Sequence, residues 1–334
     1  MLRHLRHSEL NRLQWDALIN QAPNGIIYGL SWYLDIVSPG WEALVKEEGG
    51  RYVAGLPLPV RRKFGLRYLQ QPLFAQELGF FYLEAPTTAE WAQLGSMLRQ
   101  QFIYITKYAF NVGNAAVAGA ASLGLTSAPA RTYHLSLQPS YAELWASYRP
   151  ERRRHLRKAQ QHALIVEPTT NIDLLVQLYD ENIAHRFVRV QGEAYEYRLL
   201  RALYSAAFQV GMTSLWQARS TEGEIVAMML LLHFKQQTIY FVSCTTVVGR
   251  ALGATSMLID DFLQQHAGQV GYFDFESPGI SNMERFYGSF GSVPVPFFTI
   301  VSDQMPWPVR QLKAARILLY QRFRPRLTPD SSPD

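Results

Sequence analysis

The chain has 334 residues, 48% hydrophobic and 18% charged, enough apolar material for about two buried cores, which excludes wholesale disorder. Lys and Arg total 32 against 27 Asp and Glu; the net charge of +5 suits an anionic ligand such as a phosphate or a lipid headgroup and does not demand nucleic acid. The single cysteine, Cys244, excludes an intrachain disulfide framework and a Cys-rich zinc site, and agrees with a reducing cytoplasm.

The opening MLRHLRHSEL is basic with no apolar run behind it, unlike a secretory signal. Helices are expected over Glu9–Ile19 and Ser31–Ile36, then strands over Glu42–Lys46 and from Val53, where EGGRYVAGLPL sets a Gly turn before an apolar run. A helix over Thr88–Gln100 and a strand over Phe102–Ile105 follow. In the second half, a strand over Ala163–Val166 precedes a helix capped by Asn171, with Leu174, Leu175, Leu178 and Ile183 at helical spacing. Glu193–Val210 predicts another helix, burying Leu199, Leu200, Leu203 and Phe208. Three strands come next, Thr213–Arg219, Glu224–Phe234 and Thr238–Ser243. Tight turns at Glu222-Gly223 and Gln236-Gln237 make them an antiparallel meander. Leu252–His266 is a helix with Met257, Leu258 and Phe262 on one face. A strand over Tyr272–Phe275, a short helix over Asn282–Ser289 and a strand over Val293–Val301 complete the half.

The segment Pro308–Leu327 carries Arg310, Lys313, Arg316, Arg322, Arg324 and Arg326 with no acid, opposite an apolar set that includes Leu312, Ile317 and Leu318. It predicts a basic amphipathic tail helix ahead of a disordered end, one that packs on its own domain with Arg outward or meets anionic lipid. The longest apolar run, Ile225–Leu232, falls far short of the roughly 20 residues a membrane span needs. The expectation is a cytoplasmic protein, peripheral at the inner membrane face if it meets the membrane at all.

The order β-α-α-β-β-β-α-β-α-β resembles the GNAT pattern. The first half echoes it: Val53-Ala54 of EGGRYVAGLPL and Val226-Ala227 of TEGEIVAMMLL each open a long strand after a Gly turn. The expected fold is therefore α/β (α+β), two tandem GNAT-like domains with mixed sheets flanked by helices. Residues 1–140 form a degenerate N-terminal unit, 141–305 a C-terminal unit carrying the site, and 306–334 the tail.

Four stretches carry a closer resemblance. They are Phe273-Asp274-Phe275-Glu276-Ser277-Pro278-Gly279, the run Met283-Glu284-Arg285-Phe286-Tyr287-Gly288-Ser289-Phe290-Gly291, the Arg-rich ERRRHLRKA, and GEIVAMMLLLHF. Together they resemble the FemAB family, mostly across the second copy. The resemblance implies transfer of an acyl or aminoacyl group to a primary amine; the characterised relatives use aminoacyl-tRNA as donor and a peptidoglycan precursor as acceptor. The departure is Tyr287 after Phe286, where those transferases carry Lys. A phenol supplies no fixed positive charge.

The GNAT resemblance implies that the fourth and fifth strands splay apart. An acyl-CoA then lies between them, with its pyrophosphate at the N-terminus of the next helix. The stretch matching that turn is Arg250-Ala251-Leu252-Gly253-Ala254-Thr255, with Thr255 where a Gly or Ala is usual. Arg250, Gly253, Ala254 and Thr255, with Ser243 on the fourth strand, form the candidate donor set. Asp274 and Glu276 alternate with Phe273 and Phe275, so they are expected on one strand face about 7 Å apart. Glu276 is the candidate base for the incoming ammonium if burial raises its pKa. Asp274 is a second candidate, although a carboxylate there also suits a helix cap or an Arg partner. In many GNAT enzymes a Tyr in the helix after the fifth strand protonates the departing thiolate, and Tyr287 falls there. Arg153 and Arg157, with Arg285, are candidates for holding an anionic substrate.

Cys244 reads as a packing thiol, and His185, His233 and His266 have no metal spacing, so no metal is expected. P-loop and hydrolase-elbow motifs are absent. The expected activity is N-acyl transfer from acyl-CoA to a small-molecule or cell-wall-precursor amine. Aminoacyl-tRNA is the alternative donor, and nucleic acid is a partner only in that case. A non-catalytic GNAT-fold binding protein is the other class.

Overall fold

The computed structural model describes residues 1–63, 65–115, 119–182, 195–277, 279–305, 307 and 311. The first half contains β1 (Leu2–Leu5), α1 (Arg12–Gln21), α2 (Ser31–Val37), β2 (Glu42–Glu48), β3 (Arg51–Leu58), β4 (Val60–Lys63), β5 (Leu66–Leu69), β6 (Phe81–Tyr82), α3 (Thr88–Gln101), β7 (Tyr104–Phe110), α4 (Val112–Ala115), α5 (Gly119–Ser122) and β8 (Thr126–Ser136). The second contains α6 (Tyr141–Ser147), α7 (Pro150–Gln160), β9 (Ile165–Thr169), α8 (Ile172–Asn182), α9 (Tyr195–Gln209), β10 (Thr213–Arg219), β11 (Ile225–Phe234), β12 (Gln237–Thr245), α10 (Val247–Leu252), α11 (Ala254–His266), β13 (Tyr272–Asp274), α12 (Ser281–Gly288) and β14 (Val293–Asp303). The expected tail helix lies almost wholly outside the described residues.

Local chemistry sets many of these boundaries. Asn11 and Asn171 accept backbone amides at the starts of α1 and α8. Thr87 with Glu90, and Ser140 with Glu143, form capping boxes on α3 and α6. The β10-β11-β12 meander is antiparallel throughout. Its second turn falls one residue earlier than the sequence suggests, at Lys235-Gln236. There Lys235 takes φ 54, and its ammonium donates to the Ala22 carbonyl at 2.6 Å, tying the turn to the first half.

The strands form a four-stranded sheet, β1-β2-β3-β6, and a ten-stranded sheet, β4-β5-β7-β14-β8-β13-β12-β11-β10-β9. The centre of the long sheet is an exchange. β14, from the end of the second half, pairs antiparallel with β7 of the first, while β8 pairs antiparallel with β13 of the second. β14 and β8 also pair with each other, from Val293↔His134 to Val301↔Thr126. Each half is thus completed by a strand from the other.

On one face of β10–β13 lie α7, α11 and the ring-rich end of α12, around Phe262, Phe273 and Phe275. The other face carries α8 and α9, and there Cys244 is buried with its thiol donating to the Leu178 carbonyl at 3.0 Å. Leu203 and Ala207 of α9 join the core of the first half, which also holds Trp15, Trp41 and Trp91. Each fully buried large apolar side chain contributes about 1.5–3 kcal/mol, so this shared seam is a substantial tie between the halves.

Candidate functional site

β12 and β13 run parallel but pair only at Gln237↔Tyr272, Thr238↔Phe273 and Ile239↔Asp274. β12 then continues to Thr245, while β13 stops at Asp274. Both arms of this V have a local cause. The register passes from Leu231↔Tyr240 to Leu230↔Val242, so Phe241 is a bulge that bends β12. On the other arm Phe275 stays with β8, donating to the Tyr133 carbonyl at 2.9 Å, and Glu276 then turns to φ 49. Asp274 Oδ1 accepts the Glu276 N–H at 3.0 Å and closes that turn. This corrects one expectation: Asp274 and Glu276 do not share a strand face, because the backbone turns left-handed at Glu276.

One side of the V leads to the turn before α11. Gly253, at φ 73, ends α10 and begins α11, and no side chain caps α11. Its first amides are left to solvent or to an anion. In the first half the corresponding helix, α3, has Thr87 and the Glu90 carboxylate on its first turn instead. Thr255 hydrogen-bonds Thr245 through their hydroxyls, Arg250 is exposed with Nη1 on the Thr245 carbonyl at 2.9 Å, and Ser243 meets the Tyr240 hydroxyl at 2.5 Å. Ala254 is buried. A Cβ on Gly253 would lie 3.0 Å from that of Ala159, so α7 packs directly on this turn.

The arginine that matters most to that packing is Arg152. Its Nε donates to Ser289 Oγ at 2.8 Å, Nη1 donates to Ser256 Oγ, and the guanidinium lies over Phe286 and Phe290 at 4.4 and 4.6 Å. Burial lowers its pKa to about 10. Arg153 is partly exposed, and Arg157 and Arg285 are exposed. Arg157 lies 6.0 Å from the Trp145 ring.

The other side of the V opens on a cavity of about 740 Å³, walled by residues 71–76 and Lys107 of the first half, residues 129–131 of β8, and Phe241, Glu276 and Glu284. Both arms of the V therefore line it. Burial, then the Asp274 charge, push the Glu276 carboxyl up to about 8, against a hydrogen bond donated to it by the Tyr28 hydroxyl. Glu77, buried nearby, accepts the Val112 N–H at 3.1 Å and is pushed well up by burial and by the charges of Asp274 and Glu276. Asp274 itself accepts from the Thr132 hydroxyl, His134 Nε2 at 3.2 Å and Gln237 Nε2 at 3.0 Å, besides the Glu276 amide. Glu284 takes two bonds from Arg131, at 3.0 and 2.6 Å, and one from Ser277 at 3.1 Å, which steadies the loop after Glu276.

Tyr287 lies on the α11 side. Its ring stacks on Phe275 at 4.9 Å and meets Tyr240 at 6.2 Å, and burial drives its hydroxyl well above the usual range. The structure thus brings Asp274, Glu276 and Tyr287 around one arm of the V, with Gly253, Ala254 and Thr255 at the helix end beyond the other. Sequence reasoning missed Tyr28, Phe74, Glu77, Lys107 and Arg131, which come from the first half and from the exchanged strand. No local motif marks them.

Residues 130–284 match the family model described as an acetyltransferase (GNAT) domain. No curated protein matches the chain by sequence. Among solved structures, FemX superposes with a TM-score of 0.65 at 12% identity, over 93% of this chain and 99% of its own. The C-terminal domain of a putative lysylphosphatidylglycerol synthetase from Agrobacterium fabrum gives 0.55 at 13% identity, over 92% and 96%. A tandem GNAT protein from the clavulanic acid biosynthesis pathway gives 0.51 at 13% identity, over 92% and 99%. The chain has a tandem GNAT fold like that of FemX. In the second GNAT unit β9 to β13 are the first five strands, so the divergence falls between the fourth and the fifth. The matched GNAT segment begins inside β8, the strand supplied by the first unit, and ends in α12 before β14.

Proposed function

We propose that this GNAT-fold protein is an N-acyltransferase that moves an acyl group from a CoA thioester onto a primary amine. The observation that carries the reading is the V between β12 and β13, with an uncapped helix end on one side and a carboxylate-bearing cavity on the other. The acyl donor is assigned to the α11 side, with Arg250, Gly253, Ala254, Thr255 and Ser243 around its phosphate and pantetheine arm. The amine is assigned to the cavity. Glu276, with a pKa of about 8, takes a proton from the ammonium directly or through one water. The free amine attacks the thioester carbonyl, β12 backbone amides steady the oxyanion, and the C–S bond breaks. Tyr287 protonates the departing thiolate, and its phenolate is restored by the second proton that the nitrogen releases as the amide forms. Asp274, saturated with hydrogen bonds, holds Glu276 in place. Arg153, Arg157 and Arg285 are assigned to anionic parts of the substrates.

In this reading residues 1–140 wall the acceptor cavity and do not form a second donor site, which the carboxylate of Glu90 at the start of α3 supports. CoA is favoured over aminoacyl-tRNA because Tyr287 stands where the tRNA-dependent relatives have Lys. No helix among the described residues is long and apolar enough to cross a membrane. We place the protein in the cytoplasm, with its acceptor a small molecule or a cell-wall precursor.

The test is melting temperature with acetyl-CoA and longer acyl-CoAs, then transfer to an amine panel. A ligand at 100 times its Kd adds about 2.7 kcal/mol. A salt-sensitive shift with charged tRNA alone would reassign the donor, and no shift with either would favour a binding module.

A further inference from the structure

Among the described residues four non-glycines take left-handed backbone: Phe74 (φ 61), Ala163 (φ 48), Lys235 (φ 54) and Glu276 (φ 49). Two of them, Phe74 and Glu276, line the same cavity, one from each half of the chain. Such a conformation costs about 1–2 kcal/mol for a residue with a Cβ, and it persists only where neighbours hold it.

Both holders come from one short segment. The Tyr28 hydroxyl donates to Glu276 Oε1, and the Tyr33 hydroxyl donates to the Phe74 carbonyl. The two rings pack against each other at 5.1 Å and 64°, exposed by only 2% and 0%. Phe74 in turn packs on Phe241, the bulge residue of β12, with ring centroids 5.7 Å apart. Phenylalanine would fill the same volume. A buried hydroxyl is costly unless bonded, and each of these is bonded to one strained residue of the cavity.

We propose that Tyr28 and Tyr33 are positioning residues of the cavity, Tyr28 aiming the Glu276 carboxylate and Tyr33 fixing the Phe74–Phe241 wall. The first GNAT unit thereby acts on the chemistry of the second without touching the reacting atoms. The catalytic meaning of the aim rests on Glu276 being the base, as read above; the positioning itself does not.

Groups close to Glu276 are Asp274, Glu77, Tyr28, Tyr33 and Tyr287, and Lys107, Arg131 and Glu284 line the same cavity. Burial and Asp274 push its carboxyl up, and the Tyr28 bond opposes them. Removing that hydroxyl leaves the upward influences unopposed, whereas Tyr33 makes no hydrogen bond to Glu276. The two tyrosines therefore separate by experiment, and no substrate is needed.

The full chain is prepared as wild type, Tyr28→Phe and Tyr33→Phe, each with and without Glu276→Gln. Melting temperatures from pH 5 to 10 are compared within each pair, so that the difference reports the Glu276 titration. The wild-type midpoint, read as the pH at which the fall relative to Glu276→Gln levels off, is expected near 8. It moves to higher pH in Tyr28→Phe and stays in place in Tyr33→Phe. Hydrogen exchange of residues 71–76 speeds up in Tyr33→Phe and not in Tyr28→Phe. Should Tyr28→Phe fail to fold, 3-fluorotyrosine at residue 28 keeps the shape, strengthens the donor and moves the midpoint down. An unmoved midpoint in either residue-28 variant, or an equal shift in Tyr28→Phe and Tyr33→Phe, overturns the proposal. If the midpoint moves as expected but no acyl-CoA binds, the transferase reading fails and the positioning stands.

Discussion

Replacing Asp274 by Asn tests whether this carboxylate is a hub or a catalyst. Its Oδ1 accepts from the Thr132 hydroxyl and the Glu276 amide, and its Oδ2 from His134 and Gln237, so β8, β12, β13 and the turn after β13 all meet on one side chain exposed by 4%. Asn keeps one acceptor oxygen and turns an NH2 toward two hydrogen-bond donors. Hydrogen bonds to a buried charge are worth about 1.5–3 kcal/mol, and an unpaired buried donor costs about 1–3 kcal/mol. The Gln237 amide can turn over and His134 can change tautomer, which recovers part of that loss. The expected destabilisation is about 2–4 kcal/mol, read by urea denaturation of the full chain with circular dichroism and tryptophan fluorescence. A second consequence is independent of stability. The Asp274 charge helps to push Glu276 up, so Asp274→Asn moves the Glu276 midpoint down from about 8. A variant within about 0.5 kcal/mol of wild type, with that midpoint unmoved, would refute the hub. Lost turnover at full stability would instead make Asp274 catalytic.

Glu276→Gln is expected to slow transfer with little change in acyl-CoA affinity. Because the folded carboxyl sits near 8, above its ordinary 4.5, the stability it contributes is full below pH 4.5 and is lost as pH rises through 8. Wild type should therefore fall relative to Glu276→Gln between pH 5 and 9, by at most about 4 kcal/mol at roughly 1.4 kcal/mol per pH unit, less solvent screening; parallel melting curves would contradict this. Gly253→Ala places a Cβ at φ 73 and 3.0 Å from Ala159, with an expected loss of about 1–2 kcal/mol by calorimetry. A neutral substitution there would mean that the turn does not need glycine. Tyr287→Phe keeps the rings packed on Phe275 and Tyr240, so melting should hardly change while turnover drops about 10²-fold if the hydroxyl is the acid. Unchanged turnover would leave Tyr287 as packing alone.

The second half was largely legible because its elements are written locally. The Asn171 cap, the Gly223 turn, the apolar spacing of α11 and the three β-rich runs of the meander each depend on residues close in sequence. Motif resemblance also drew attention to the Arg250–Thr255 turn and to Glu276, which the structure places at the start of α11 and in the cavity wall. Less could be read in the first half. The β4–β5 hairpin, RRKFGLR, and β8, TSAPARTYHLS, lack a clean apolar alternation. Each gains its strand partners from residues distant in sequence, β5 from β7 and β8 from β13 and β14.

What the amino-acid order determined alone was the succession of helices and strands and the presence of a carboxylate and a glycine turn in the second unit. Periodicity, caps and turn residues act over a few positions, and so they can be read along the chain. The tertiary structure alone decided that β8 and β14 change places, that Phe241 bulges, and that Glu276 turns left-handed under a hydroxyl 248 residues away. Those outcomes follow from how two shared cores pack, because burial rewards whichever distant surfaces fit and leaves no repeat in the sequence to announce them.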